Sequence, residues 1–149
     1  MSDEQIRVAF MCVQNAGRSQ MATAYAERER DRRGLGDAVE ILTGGTHPAD
    51  QVHDEVVDIM QEDGFDLSTR VPREITTTDL ESCDYIATMG CSTLDLDTEA
   101  TGVDVRDWAL TDPAGKPLDR VSEIRDEINQ LVHSLFDDIE NALEGQPEQ

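Results

Sequence analysis

Lysine is almost missing from this chain. Of 12 Lys and Arg residues, Lys116 is the single lysine, set against 33 Asp and Glu. That deficit leaves a formal charge of −21 and excludes binding to nucleic acid or to an anionic membrane by bulk electrostatics. Aromatic residues make up only 4%. Long apolar runs are lacking. Met1 to Gln5 is polar, and the run Ile6 to Val13 is short and contains Arg7, so neither a signal peptide nor a membrane span is expected. Three cysteines form no disulfide framework, and a cytoplasmic location with functional or inert thiols is expected. His47, His53 and His133 have no metal-ligand spacing. There is no Walker loop, nucleotide fingerprint or zinc pattern. Neither a metal nor an organic cofactor is expected.

What remains is enough for one core. The 149 residues suit a single domain, and no internal repeat interrupts it. Apolar residues are 38%, and the 10 glycines raise the total to about 45%, at the low end for globular chains. An acidic chain can be disordered, can carry an acidic tail, or can be adapted to high salt. Apolar periodicity through most of the chain argues against disorder, and the even spread of acids argues against a tail. The reading left is a folded protein of a high-salt cytoplasm, where a Debye length of ~3 Å at molar salt screens self-repulsion.

The order of elements follows from the apolar pattern. Ile6 to Met11 reads as a buried strand ending at the turn Gln14 to Gly17. From Ser19, residues Met21, Ala22 and Tyr25 and the stems of Arg28 and Arg32 take helical spacing, stopped at Gly34 and Gly36. Val39 to Thr43 is a second strand. Val52, Val56, Ile59 and Met60 mark a helix stopped near Gly64. Asp66 to Thr78 is a polar connection with room for a short helix. Cys83 to Met89 is a third strand, and Val103 to Leu110 holds a short fourth. Leu118, Val121, Ile124, Ile128, Leu131, Leu135, Ile139 and Leu143 define a long last helix. This predicts an α/β domain over residues 1–145, a four-stranded parallel sheet with helices on both faces, and a frayed tail at 146–149. In such sheets ligands bind beyond the carboxyl ends of the strands. There the turn after strand one, the Gly90-Cys91 turn and the Asp112 loop meet.

The first of these turns carries chemistry. Cys12-Val13-Gln14-Asn15-Ala16-Gly17-Arg18-Ser19 places a cysteine at a strand end and an arginine six residues on, where a helix begins. A loop this short can curl so that N–H groups of Val13, Gln14, Asn15, Ala16, Gly17 and Arg18 face inward and cradle an anion. The field of the helix N-terminus favours the thiolate of Cys12. Arg18 offers a planar fork to two oxygens of a tetrahedral anion, Ser19 can donate to the thiolate, and Asn15 can brace the loop. Asp112, before Pro113, is the candidate general acid. A lone cysteine at a strand end is more often a small buried hydrophobe; the loop, helix and downstream Asp-Pro together weigh against that here.

Cys12 to Ser19 resembles the C-x5-R-S loop of the low-molecular-weight protein tyrosine phosphatases and of the arsenate reductases that share their fold. The longer run Cys12 to Ala22, together with Gly44-Gly-Thr-His-Pro48 and Asp112-Pro-Ala-Gly115, is more similar to the reductase branch, and the likeness covers about Ile6 to Leu143. The phosphatases typically follow Asp-Pro with aromatic residues that wall a tyrosine slot. This chain has none between Thr111 and Lys116, and Ala16-Gly17 replaces their second loop cysteine. Trp108 and Tyr25 are the rings left to serve as a wall.

The resemblance implies roles for the remaining thiols. In the reductases a second cysteine attacks the sulfur of the Cys12–arsenic adduct, releases arsenite and leaves a disulfide; Cys91 is the residue placed for it. Cys83, eight residues earlier and ~26 Å away if extended, is too far for a disulfide with Cys91 and is expected to be inert. The thioredoxin-coupled reductases have a further resolving cysteine, which Ser92 to Trp108 lacks. A Cys12–Cys91 disulfide reopened by an external thiol or redoxin is therefore the expected cycle. The rival enzyme is a phosphatase working through phospho-Cys12. The non-enzymatic rival is an oxyanion-binding or redox-sensing module.

Overall fold

The computed structural model describes residues 6–12, 14–45, 47–89, 103–108, 110 and 115–144. Val13, Cys91 and Asp112, and the tail expected at 146–149, lie outside the described residues. Strands β1 (Ile6–Cys12), β2 (Val39–Gly45), β3 (Tyr85–Thr88) and β4 (Asp104–Asp107) form one parallel sheet in the order β2-β1-β3-β4. Among the described residues the helices are α1 (Arg18–Arg32), α2 (Asp54–Gln61), α3 (Thr77–Glu81) and α4 (Leu118–Glu144).

β1 is central and buried on both sides, which is why it reads as a nearly continuous apolar run. Alternation sends Val8, Phe10 and Cys12 to the face covered by α1, α2 and α4. Ala9 and Met11 face the smaller cluster of Ile75, Leu80, Cys83, Ile86 and Val103, to which α3 contributes. Helices therefore cover both faces, as the pattern predicts. The third strand is shorter than expected, because its ladder with β4 spans only Tyr85 to Thr88, while the short fourth strand falls within Val103 to Leu110 as expected. The short helix starts at Thr77, at the end of the segment foreseen for it. A capping box sets its start: the Thr76 hydroxyl accepts from the Asp79 N–H, and the Asp79 carboxylate accepts from the Thr76 N–H.

α1 departs from the expected stripe. Every residue from Ser19 to Ala26 is buried, including Ser19, Gln20 and Thr23, while Arg32 is exposed. The Arg28 guanidinium lies over the rings of Tyr25 and Phe65. Where α1 meets α4, Glu29 is buried and receives Arg33 at 2.7 Å and His133 at 3.2 Å. Arg33 also reaches Asp137 at 3.0 Å and Glu140 at 2.6 Å. A buried carboxylate is tolerable when paired in this way. His133 thus contacts this inter-helix cluster through Glu29.

Candidate active site

The carbonyls of Gln14, Asn15, Ala16 and Gly17, in the loop after β1, point outward. Gln14 O accepts from the Ala49 N–H at 3.0 Å, and Ala16 O from the His53 N–H at 2.9 Å. Gly17 O accepts from the Met21 N–H at 3.0 Å within α1. Asn15 O accepts from the Gln20 side-chain amide at 3.1 Å. No peptide bond in the described chain is cis. In a trans peptide the N–H opposes the carbonyl, so outward carbonyls turn the N–H groups of Asn15, Ala16, Gly17 and Arg18 to the inner side. The Asn15 N–H shows this directly, donating to Cys12 Sγ at 3.2 Å. A run of inward donors at a helix N-terminus is an arrangement that can hold an oxyanion.

Asn15 is the one non-glycine residue with positive φ among those described, at 53°. Asparagine tolerates this region better than most residues, and its side chain holds it there. Asn15 Nδ2 donates to Ser19 Oγ at 2.7 Å and to Thr43 Oγ1 at 2.9 Å. Asn15 Oδ1 accepts from Gln20 Nε2 and from the Arg73 N–H, both at 3.1 Å. Two N–H donors on one side and two hydroxyls on the other fix the orientation of the amide. They also leave a donor available for the next bond. Ser19 Oγ already accepts from Asn15, so its proton is available to Cys12 Sγ, 2.9 Å away. Cys12 is buried, and its sulfur thus meets one hydroxyl and one N–H.

Arg18 opens α1 and donates to the Leu110 carbonyl at 3.0 Å, tying the cradle to the chain that leads into the Asp112 loop. Asp112 and Cys91 themselves lie outside the described residues. Cys83 sits at the far end of the sheet, buried against α3, where burial pushes its thiol up to about 11. His47 is exposed on the segment that meets Gln14 through Ala49. Among the described residues there is no cluster of three or more His, Cys, Asp or Glu that could hold a metal. None of the described helices is long and apolar enough to cross a membrane.

The two rings proposed as a wall are committed elsewhere. Trp108 is buried against Phe10, with ring centroids 5.9 Å apart. Tyr25 is buried edge-on to Phe65 at 5.3 Å and bonded to Asp63. Burial, reinforced by that carboxylate, pushes its phenol well above the usual range. Three contributors escaped the sequence reading. Gln20 sat in the quoted run without a role. Thr43 is a strand-end residue 28 positions from Asn15. The Arg73 backbone reaches the loop only because the 73–75 segment crosses the end of β2, where Gly45 N donates to Arg73 O at 2.9 Å. None of these contacts has a local sequence signal.

The sequence profile of the low molecular weight phosphotyrosine protein phosphatase family matches residues 7–145. The chain belongs to that family. Among its relatives is a protein of Halobacterium salinarum, provisionally named an arsenate reductase. It is 66% identical over 137 residues, covering 92% of this chain and 95% of its own. An arsenate reductase of Brevibacillus brevis is 34% identical over 127 residues, covering 84% and 90%. The thioredoxin-dependent arsenate reductase of Corynebacterium glutamicum superposes with a TM-score of 0.77 at 30% identity, over 95% of this chain and 65% of that one. The Corynebacterium reductase thus shares the fold described above.

Proposed function

We propose that this enzyme reduces arsenate to arsenite. The observation that carries the reading is the sulfur of Cys12, held by the Ser19 hydroxyl and the Asn15 N–H at the focus of a carbonyl-out loop. Such a sulfur is a nucleophile facing a site for a tetrahedral anion. The similarity to the reductases of Halobacterium, Brevibacillus and Corynebacterium supports arsenate as that anion.

Arsenate would sit on the inward N–H groups and the Arg18 guanidinium, which offset the repulsion of a chain carrying −21. The Cys12 thiolate attacks arsenic, an As–S bond forms, and one oxygen departs as water after taking a proton from Asp112. The Cys91 thiolate then attacks Cys12 Sγ. The As–S bond breaks with its electron pair left on arsenic, so As(V) becomes As(III) and a Cys12–Cys91 disulfide remains. An external dithiol or redoxin reduces it and returns both thiols. This ordering keeps Cys83 out of the cycle.

The family as a whole supports a second reading, hydrolysis of a phosphomonoester through phospho-Cys12. All six aromatic residues lie outside a free wall: four are in ring contacts, Phe10 with Trp108 and Tyr25 with Phe65, Phe136 is fully buried, and Tyr85 is half-buried beneath Arg106. A phosphotyrosine ring therefore lacks the flat partner it needs, whereas a bare oxyanion requires none. The test compares arsenate reduction with a thiol donor against hydrolysis of an aryl phosphate, in molar KCl, for the wild type and Cys91→Ser. Loss of arsenate reduction in the variant with any aryl phosphate hydrolysis unchanged is the expected result. Arsenate reduction at the wild-type rate in Cys91→Ser would remove Cys91 from the cycle.

A further inference from the structure

We infer that Gln20 is a positioning residue for this site, acting through Asn15 on both the nucleophile and the anion cradle. The inference rests on the oxyanion reading above and deepens it. Three of the four outward carbonyls are satisfied by backbone donors: Gln14 O by Ala49, Ala16 O by His53 and Gly17 O by Met21. Asn15 O is satisfied by the Gln20 side chain. The peptide plane that carries Asn15 O also carries the Ala16 N–H, so Gln20 holds one of the inward donors in place.

The same Nε2 donates its second hydrogen to Asn15 Oδ1. That bond keeps the Asn15 amide folded over its own backbone, with Nδ2 on Ser19 and, through Ser19, a proton aimed at Cys12. Gln20 is buried, and its Oε1 has no partner among the described atoms. A buried amide with an unsatisfied oxygen is a poor choice for stability. Its retention is explained by the two donations that only the other half of the amide makes. A methionine would fill the same space without the orphaned oxygen and without the donors.

The experiment follows alkylation of Cys12 by iodoacetamide against pH, read on the Cys12 peptide by mass spectrometry, with and without inorganic phosphate as protecting anion. The chains compared are the wild type, Gln20→Met and the isosteric Gln20→Glu, whose carboxylate cannot donate. The expected result for Gln20→Met is a melting temperature close to wild type and Cys12 alkylation at pH 7 slower by roughly 3- to 10-fold, the range for one lost hydrogen bond. The pH midpoint of alkylation moves upward, and the phosphate needed for half-protection rises by a similar factor. Gln20→Glu shifts both in the same direction and further, since its carboxylate faces two oxygens. If Gln20→Met does not fold, Gln20→Glu alone decides. A variant that alkylates with the wild-type pH profile and is protected by the same phosphate concentration overturns the inference, even if its melting temperature falls. Arsenate turnover enters neither readout, so failure of the reductase reading would leave this result standing.

Discussion

At the scale of single residues the site works by orientation rather than by unusual groups. An asparagine at φ 53° turns one amide toward two hydroxyls, and one of those hydroxyls then has its proton free for sulfur. The cysteine, arginine, serine and asparagine of the loop were legible in the sequence because they fall within eight consecutive positions. Gln20 was not, since nothing in its spacing distinguishes a buried clamp from an exposed helical residue. Two outcomes belong to this scale. Asp112→Asn should slow arsenate turnover by roughly 100-fold or more, the lower bound for loss of a general acid. Phosphate protection of Cys12 should stay near wild type, because the cradle is made of other groups. Cys83 should stay unmodified by iodoacetamide at pH 7 to 8, since burial pushes its thiol from an ordinary 9.0 up to about 11. The sign for stability follows. The folded state keeps this proton between those values while the unfolded chain loses it. The contribution is present below about pH 9 and fades as pH rises through about 11. Cys83→Ala should therefore flatten the alkaline fall in melting temperature over that range.

At the scale of elements, the cradle depends on pieces far apart in the chain. β1 delivers Cys12, α1 delivers Arg18 and Ser19, the end of β2 delivers Thr43, and the 73–75 segment delivers the Arg73 N–H. Gly44 allows that segment its close approach: a Cβ there would lie 2.5 Å from Ile75 Cβ and 2.9 Å from its backbone nitrogen. Gly44→Ala should cost about 1–3 kcal/mol as overpacking and lower the melting temperature by roughly 5–10 °C. It should also raise the phosphate needed for half-protection of Cys12, because the Arg73 N–H moves off Asn15. A purely local strain would change the first and leave the second. The element order was readable from period and length, since a strand buried on both faces and a long amphipathic helix leave strong patterns. The helical stripe of α1 misled where it passed the site. Ser19 and Gln20 are polar yet buried because they serve the loop, and the Thr23 hydroxyl donates back to the Ser19 carbonyl. Strand length was overestimated at β3, where pairing with a neighbour, not local propensity, sets the limits.

At the scale of the whole molecule, charge is the dominant property. With 33 acidic residues against 12 basic ones, the folded chain repels itself at low ionic strength. Basic side chains are accordingly drawn into pairs, as Arg33 with Glu29, Asp137 and Glu140, and Arg106 with Asp104 and Asp138. The Debye length shortens from ~10 Å at 0.1 M salt to ~3 Å at 1 M. The melting temperature should therefore rise steadily with KCl, with partial loss of helical circular dichroism on dilution to low salt. An unchanged melting temperature between 0.1 and 1 M, both concentrations chosen to bracket those Debye lengths, would contradict the high-salt reading. The kinship with a Halobacterium salinarum protein agrees with it.

The central claim, that Cys12 supplies electrons to an oxyanion with Cys91 as its partner, is tested most directly by a single turnover. Fully reduced protein in molar KCl is mixed with arsenate in the absence of any external thiol, and both arsenite and the cysteine peptides are quantified. The account gives about one arsenite per chain and a matching amount of the Cys12–Cys91 disulfide, with Cys83 still a thiol. Arsenite without that disulfide, or no arsenite from a protein that hydrolyses an aryl phosphate under the same conditions, would contradict it.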